Sequence, residues 1–394
     1  MNSKKVIEKY CTGCGLCKAV KGVNLHVDSN GYYHPHLKTE ESISFCENVC
    51  PSQGTSILRS NGTIWGLSQN VWLGFANDKN IRSHSSSGGM ITAICCYLLS
   101  ANIVDGIIQT KMDPSNPIST ITVVSKTIDE VKECSGSRYS ISHPLETLFD
   151  IVEPNKKYAF VGKPCDVSAL RCYLEQDEEL GERISILISF FCAGMPSIKA
   201  NQKLLNYLGC SSDEQCCDLQ YRGDGWPGYT TVKLKNGEIN KCSYQESWRT
   251  ILGRDVAQIC RLCPDGIGEL ADISCGDAWY LSDDDKPLFD ERDGRNVVFA
   301  RTNVGLEICE GALNDGVISL IKYEDYVNEL QYSQNYQYDR RASLKYMLFA
   351  LKLLGKETPM YDKKVLDSFS DALPTSIKFR RFGGTIKRVI RGKM

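Results

Sequence analysis

Beyond about residue 71 the chain alternates short apolar runs with amphipathic stretches, the pattern of strands interleaved with helices. Residues 184–191 are apolar almost without a break, and residues 158–161 repeat that pattern, as expected of strands buried on both faces. Residues 103–109, 120–125, 230–234, 272–275 and 297–300 read as further strands; 89–100 and 145–152 read as helices, and another helix starts at Asp166. These elements predict a mixed α/β core, with a 70–155 part and a 156–335 part. Ahead of it, residues 1–58 carry five cysteines and end in a polar stretch that begins at Arg59. After it, residues 336–394 read as a helical, basic extension.

At 394 residues and 42% hydrophobic, the chain has the size and composition of a globular protein of two or three domains. Its net charge of −2 gives a nucleic-acid partner no electrostatic footing. The first ten residues are charged rather than secretory in pattern, and no apolar run reaches the length of a membrane span. With 19 cysteines, this points to a reducing cytoplasm, where the thiols serve as metal ligands or stay free. Cys95, Cys96, Cys134, Cys172, Cys210, Cys216, Cys217, Cys242 and Cys309 read as small core hydrophobes.

Cys11-Thr-Gly-Cys14-Gly-Leu-Cys17 has the spacing with which a short loop wraps one corner of an iron–sulfur cluster, and Cys50-Pro51 supplies the distant fourth ligand of such modules. The next expected cysteine is replaced by Lys21, and the second half retains only Cys46 and Cys50. One 4Fe–4S cluster on Cys11, Cys14, Cys17 and Cys50 is therefore expected, with Cys46 a spectator. A zinc knuckle or a disulfide framework are the alternatives. The fold class predicted is α/β (mixed α+β), a small ferredoxin-like 4Fe–4S module followed by a mixed-sheet domain, for which the serine and glycine loop at 85–89 suggests flavin binding and catalysis.

Cys260-Arg-Leu-Cys263-Pro264 is a second closely spaced pair that needs two more ligands. Cys165 and Cys192 each follow a run that reads as a core strand, so both are available at one sheet edge. The alternative is that these two are buried thiols and the pair binds zinc. Ser85-Ser-Ser-Gly88-Gly89 leads into a helical pattern, where glycines and free amides suit a phosphate and Arg82 adds charge; a plain serine-rich N-cap is the alternative. A second small loop, 135–139, is available to the same anion. Beside cluster chemistry the natural ligand is FAD, which accepts single electrons and passes on a hydride.

Together these segments resemble the beta-subunit family of coenzyme F-420 hydrogenases and dehydrogenases. The likeness is carried by the cysteine loop 11–17, Ser87-Gly88-Gly89 with Val104-Asp-Gly-Ile-Ile, Gly162-Lys-Pro-Cys165-Asp-Val-Ser-Ala-Leu-Arg171, Phe191-Cys192-Ala-Gly194, Cys260-Arg-Leu-Cys263-Pro-Asp, and Ala271-Asp272-Ile-Ser-Cys-Gly276-Asp277-Ala-Trp279. It runs to about residue 305 and is greatest to the bacterial branch found with cell-surface polysaccharide enzymes. The resemblance implies an iron–sulfur flavoprotein oxidoreductase with a second 4Fe–4S cluster on Cys165, Cys192, Cys260 and Cys263. It implies FAD contacts from Arg82, Ser86, Ser87, Gly88, Gly89, Ser137, Gly162, Lys163 and Pro164. It also implies a ferredoxin or reduced deazaflavin as electron donor, and a small-molecule or sugar-linked substrate. Relatives in that branch usually carry eight cysteines in the N-terminal module; this chain keeps too few there for two clusters.

Flavin chemistry needs a proton partner near the ring, and Lys163, His84 and Asp277 are the candidates; a phosphate contact, a polar loop residue and a structural carboxylate are their respective alternatives. The segment 222–228, with three glycines, reads as a surface loop able to close over the ligand, with a plain turn as the alternative. From Lys378 onward the tail carries seven basic and no acidic residues among apolar ones. It reads as an amphipathic helix for an anionic membrane surface, or as a partly disordered tail broken at Gly383-Gly384. The expected location is cytoplasmic, with peripheral contact at the inner membrane.

Overall fold

The computed structural model describes residues 3–53, 63–211, 215–359, 361–370 and 373–392. The boundary expected near residue 58 and the polar stretch at Arg59 lie outside them.

The N-terminal segment is small. Helix α1 (Ser3–Lys9) and helix α2 (Glu40–Val49) flank an antiparallel hairpin, β1 (Asn24–Val27) with β2 (Tyr33–His36). Thr39 caps α2 reciprocally with Ser42, which fixes where the helix starts. Ile7, Val20, Val23, Leu37 and Cys46 form a core of their own beneath the cysteine loop.

The main body is an eight-stranded mixed sheet. Its strands are β3 (Asn70–Ala76), β4 (Gly106–Asp113), β5 (Asn116–Ser125), β6 (Tyr158–Gly162), β7 (Ile184–Phe190), β11 (Ile273–Asp277), β12 (Asn296–Ala300) and β13 (Ile318–Lys322), in the order β13-β3-β12-β11-β7-β6-β4-β5. The middle four, β11-β7-β6-β4, are parallel and the outer pairs antiparallel. This explains the unbroken apolar runs of β6 and β7, which are covered on both faces. On one face lie α4 (Met90–Ser100) and α6 (Asn303–Asn314), contributing Ile94, Cys95, Ile308 and Cys309 to a core that includes Ile186 and Ile188. On the other lies α5 (Pro164–Leu174), whose Val167 and Leu170 pack with Phe160, Leu187 and, from the N-terminal segment, Leu16 and Val49. Helix α3 (Lys79–His84) follows β3. A separate antiparallel sheet joins β8 (Cys216–Gln220), β9 (Tyr229–Leu234) and β10 (Ile239–Ser243). The C-terminal extension is helical: α7 (Asn335–Leu353), α8 (Lys363–Ser370) and α9 (Thr375–Ile390). Leu344, Leu348 and Leu351 of α7 pack against Val6 and Tyr10 of the N-terminal segment.

Three expectations change. The strand expected from residue 103 begins at Gly106, because the amides of Ile103 and Val104 are spent on Leu98 O, closing the end of α4 beyond Asn102 at φ 54°. The helix expected over 145–152 shrinks to Leu148–Ile151: Leu145 N donates to Cys14 O, so the chain there serves the cysteine loop instead. The tail is a continuous helix through Gly383 and Gly384, held by packing on α7 and an Arg381–Asp339 ion pair of 2.6 Å.

Candidate redox site

The cysteine loop is shaped by its glycines. Gly13 and Gly15 adopt φ of 74° and 88°, and a Cβ on Gly15 would stand 2.9 Å from Glu146 N, so neither position accepts a side chain without a shift. Gly13 N donates to Cys11 Sγ at 3.3 Å, and Cys50 Sγ lies 3.1 Å from Ser52 Oγ. Burial, reinforced by the neighbouring thiols, lifts Cys11 well above the usual thiol range and Cys14 and Cys50 to about 12. Cys17 is raised chiefly through a hydrogen bond with Cys46, then by burial. Cys46, expected to be a spectator, is therefore in contact with the set.

The second set is assembled from distant segments. Cys165 is the second residue of α5, just past the carboxyl end of β6, and Cys192 follows the carboxyl end of β7. These strands are neighbours, with Gly162 opposite Ser189, so both cysteines emerge at one sheet edge. Cys260 sits on a one-turn helix (Gln258–Arg261), where its Sγ accepts from Met195 N at 3.4 Å. Burial and then the other thiols raise Cys260 to about 12; burial raises Cys263 to about 11 against the lowering effect of Arg340. Cys165 is lifted by burial and Asp166, with Cys192 and Cys263 adding to the effect.

Among the described residues no three His, Cys, Asp or Glu side chains close round a single metal ion. All-thiol sets of four are the donor chemistry of iron–sulfur clusters. Thiols whose pKa burial has raised, as in both sets, ionise only against positive charge, which a cluster's irons would provide. The residues fit the group. The two sets are also close: a small cavity of about 30 Å³ is walled by Thr12 and Pro51 on one side and by Cys165 and Cys263 on the other, with Tyr361 between. The Tyr361 hydroxyl is raised well above its ordinary range by burial, then by Cys263, Tyr10 and Cys50.

A cavity of about 590 Å³ opens at the carboxyl ends of the parallel strands, where ligands of open α/β sheets bind. Ser86, Ser87 and Gly89 line one part with Ser137, Gly162 and Lys163; Cys192 is also in its wall. Gly89, at φ 76°, turns the chain into α4, and Ser86 Oγ accepts from Ser137 N at 2.6 Å, joining the two small loops. Ser87 Oγ donates to Arg295 O at 2.9 Å. Lys163 Nζ is held by Ser142 Oγ at 2.6 Å and Asp166 Oδ2 at 2.7 Å. Burial pulls its pKa down, but the Asp166 carboxylate outweighs it, and the ammonium stays above its ordinary range.

Several expected residues stand elsewhere. Gly88 is outside the cavity; it is a packing glycine, since a Cβ would lie 2.8 Å from Asn296 Oδ1. Arg82 is also outside it, its Nε donating to Gly294 O at 2.8 Å with its guanidinium 3.9 Å from the Phe75 ring. Pro164 is the first residue of α5 and faces the small inter-set cavity. His84 is exposed, 3.5 Å from Asp224, and does not line the cavity. Asp277 lines it but is fully engaged: Arg222 grips it at 2.9 and 3.2 Å, and Trp226 Nε1 donates to it at 2.9 Å. The segment 222–228 is consequently no surface turn; Arg222 and Trp226 are buried. Cys217, expected in a core, is exposed.

Sequence reasoning missed the aromatic wall of the cavity. Trp279 lies 4.7 Å from Trp226, with planes 8° apart, and Tyr244 and Phe289 close on its ring at 5.8 and 4.9 Å. Trp279 stood within a recognisable motif, but Tyr244 and Phe289 carried no local signal. Gln334, Tyr336 and Gln337 complete the wall from the C-terminal extension.

Comparison with known proteins agrees with this geometry. Family models described as coenzyme F420 hydrogenase/dehydrogenase beta subunit, N-term and C terminus, match residues 71–149 and 155–326. The chain is similar to the coenzyme F420 hydrogenase subunit beta of Methanococcus voltae, at 23% identity over 72% of this chain and 95% of that protein. It is 33% identical to the chloroplastic 7-hydroxymethyl chlorophyll a reductase of Oryza sativa subsp. japonica, over 68% of this chain and 54% of that one. A chain of the F420-reducing [NiFe] hydrogenase complex from Methanosarcina barkeri superposes with a TM-score of 0.58 at 21% identity, covering 78% of this chain and all of that one, which shows a common fold. With both halves of the family pattern lying over the parallel sheet, its edge cavity and the second cysteine set, the chain belongs to the coenzyme F420 hydrogenase/dehydrogenase beta-subunit family of oxidoreductases.

Proposed function

We propose that this protein is an iron–sulfur flavoprotein that exchanges electrons between an external one-electron or deazaflavin donor and an organic substrate. The observation that carries the reading is contiguity: Cys192 lines the cavity while belonging to the second thiol set, and Thr12 and Pro51, next in sequence to Cys11 and Cys50, share a small cavity with Cys165 and Cys263. FAD in the cavity would supply exchange between one-electron and two-electron chemistry, and 4Fe–4S clusters on Cys11, Cys14, Cys17, Cys50 and on Cys165, Cys192, Cys260, Cys263 would supply the single electrons. The serine and glycine loops, with the start of α4, are suited to a pyrophosphate. Lys163 holds its proton and places a fixed positive charge against negative charge that develops in the cavity. The aromatic wall around Trp279, with Arg249 beside it, leaves a flat subsite for a ring or sugar-linked substrate. Anaerobic purification followed by iron, sulfide, zinc and flavin analysis tests this directly. About eight irons and one FAD per chain are expected; zinc without flavin overturns it.

A relay subunit that passes electrons to a partner enzyme is the second reading; the aromatic wall of Tyr244, Trp279 and Phe289 in the cavity speaks for a substrate of its own. Residues 336–394 carry 14 basic and 5 acidic side chains, a net +9 that leaves −11 on the rest of the chain. Phe379 and Ile390 stand exposed on α9 among Arg380, Lys387 and Arg391. This suits peripheral contact with an anionic membrane, consistent with a lipid-linked polysaccharide intermediate as substrate. Removing residues 378–394 should abolish co-sedimentation with anionic liposomes while leaving iron and flavin content intact; unchanged sedimentation refutes it.

A further inference from the structure

Two consecutive arginines of α7, beyond the family-matched residues, are buried in the same helix turn and treated differently. Arg341 meets a carboxylate: it is ion-paired with Glu269 and donates to Pro264 O at 2.6 Å. Arg340, only 6% exposed, forms no ion pair among the described residues. Its guanidinium instead donates to Cys260 O at 3.2 Å, to Cys192 O at 2.9 Å and to Gln337 Oε1 at 2.5 Å, while its Nε has no partner. Gln337 Nε2 adds a bond to Cys192 O at 3.1 Å. Gly266 makes room for this head group, since a Cβ there would fall 1.5 Å from an Arg340 terminal nitrogen. A guanidinium taken out of water without a counter-charge carries a large desolvation penalty. Buried charges are therefore paired or serve metal centres. Beside the Tyr336 ring, 5.2 Å away, the groups gathered about this one are the thiols of the second set, on whose electrostatics Arg340 registers at Cys192, Cys260 and Cys263.

We infer that Arg340 is the built-in counter-charge of the second cysteine set, a positioning residue that holds the Cys192 and Cys260 backbones and favours the reduced, more negative state of the centre bound there. This rests on the two-cluster reading above. Adding an electron to a thiolate-ligated centre increases its negative charge, and a fixed cation in a low-dielectric pocket lowers the cost of that step. The second centre is thereby the electron sink next to the cavity, and it depends on a helix outside the family pattern.

The test is an anaerobic redox titration followed by electron paramagnetic resonance, on the full chain and on Arg340→Gln, Arg340→Lys and Gly266→Ala. Arg340→Gln should shift the reduction equilibrium of one cluster at least tenfold towards the oxidised form, about 59 mV for a one-electron couple, and leave the other cluster unmoved. Arg340→Lys, which keeps the charge, should recover most of that shift. Gly266→Ala, which keeps the arginine but pushes it off the two carbonyls, should shift the same cluster in the same direction. Potentials unchanged in both Arg340→Gln and Gly266→Ala overturn the role of Arg340. Cys260→Ala separates the two claims: an iron count that does not fall in that variant refutes the second cluster itself, and the Arg340 role with it.

Discussion

The two thiol sets solve one chemical problem in opposite ways. The first carries all its cysteines within 50 residues, on a loop bent by Gly13 and Gly15 and backed by a small core that contains Ile7 and Leu37. The second draws Cys165 and Cys192 from the ends of adjacent parallel strands, Cys260 and Cys263 from a segment some 70 residues later, and a buried cation, Arg340, from α7. The first is a local motif; the second is a property of the assembled sheet. The local set touches the main body through Cys14, Leu16 and Val49, whereas the second shares its walls with the cavity.

Cysteine variants give the largest expected effect. Cys11→Ala should lose about four irons and keep flavin, while Cys260→Ala should lose about four irons and also weaken flavin retention, because Met195, whose amide donates to Cys260, lines the same cavity. Equal flavin loss in the two variants would erase the contrast. An intermediate effect concerns pH. In the metal-free chain burial raises Cys14, Cys50 and Cys260 to about 12 and Cys263 to about 11, above their unfolded values. Their contribution to stability is complete below pH 9 and declines as pH rises towards 12, by up to ~1.4 kcal/mol per unit for each thiol. Urea melts of metal-free protein should show this decline, and metal-loaded protein should not, its thiolates being ionised already. The smallest effect is expected of Cys46→Ser: the bond to Cys17 changes, but the iron count of the first set should stay within error of the parent. A loss of iron there would make Cys46 a ligand.

How much was readable in advance follows the same division. Loop 11–17 with Cys50 was legible because its geometry is written in adjacent residues. The parallel strands were legible from their unbroken apolar runs, yet their order was not, since strand neighbours are chosen by helix packing on both faces. Cys165 and Cys192 could be paired because each follows such a run. The engagement of Asp277 by Arg222, the aromatic wall and Arg340 were invisible: each depends on contacts between separate segments, Arg222 with Asp277 55 residues apart and Arg340 with Cys192 148 apart. Arg82 and His84 looked promising as polar residues beside a glycine loop, but α3 turns both away from the cavity.

The place of Arg340 near the end of the chain has a consequence for the order of synthesis. A chain emerging from the ribosome at about 5–20 residues per second presents all four ligands of the first set early, and Arg340 only some 15–60 s after Cys50. The second set is framed last, so on the two-cluster reading its iron would arrive only once the sheet has formed, and a chain stopped at the family boundary near residue 326 would present those thiols unsealed.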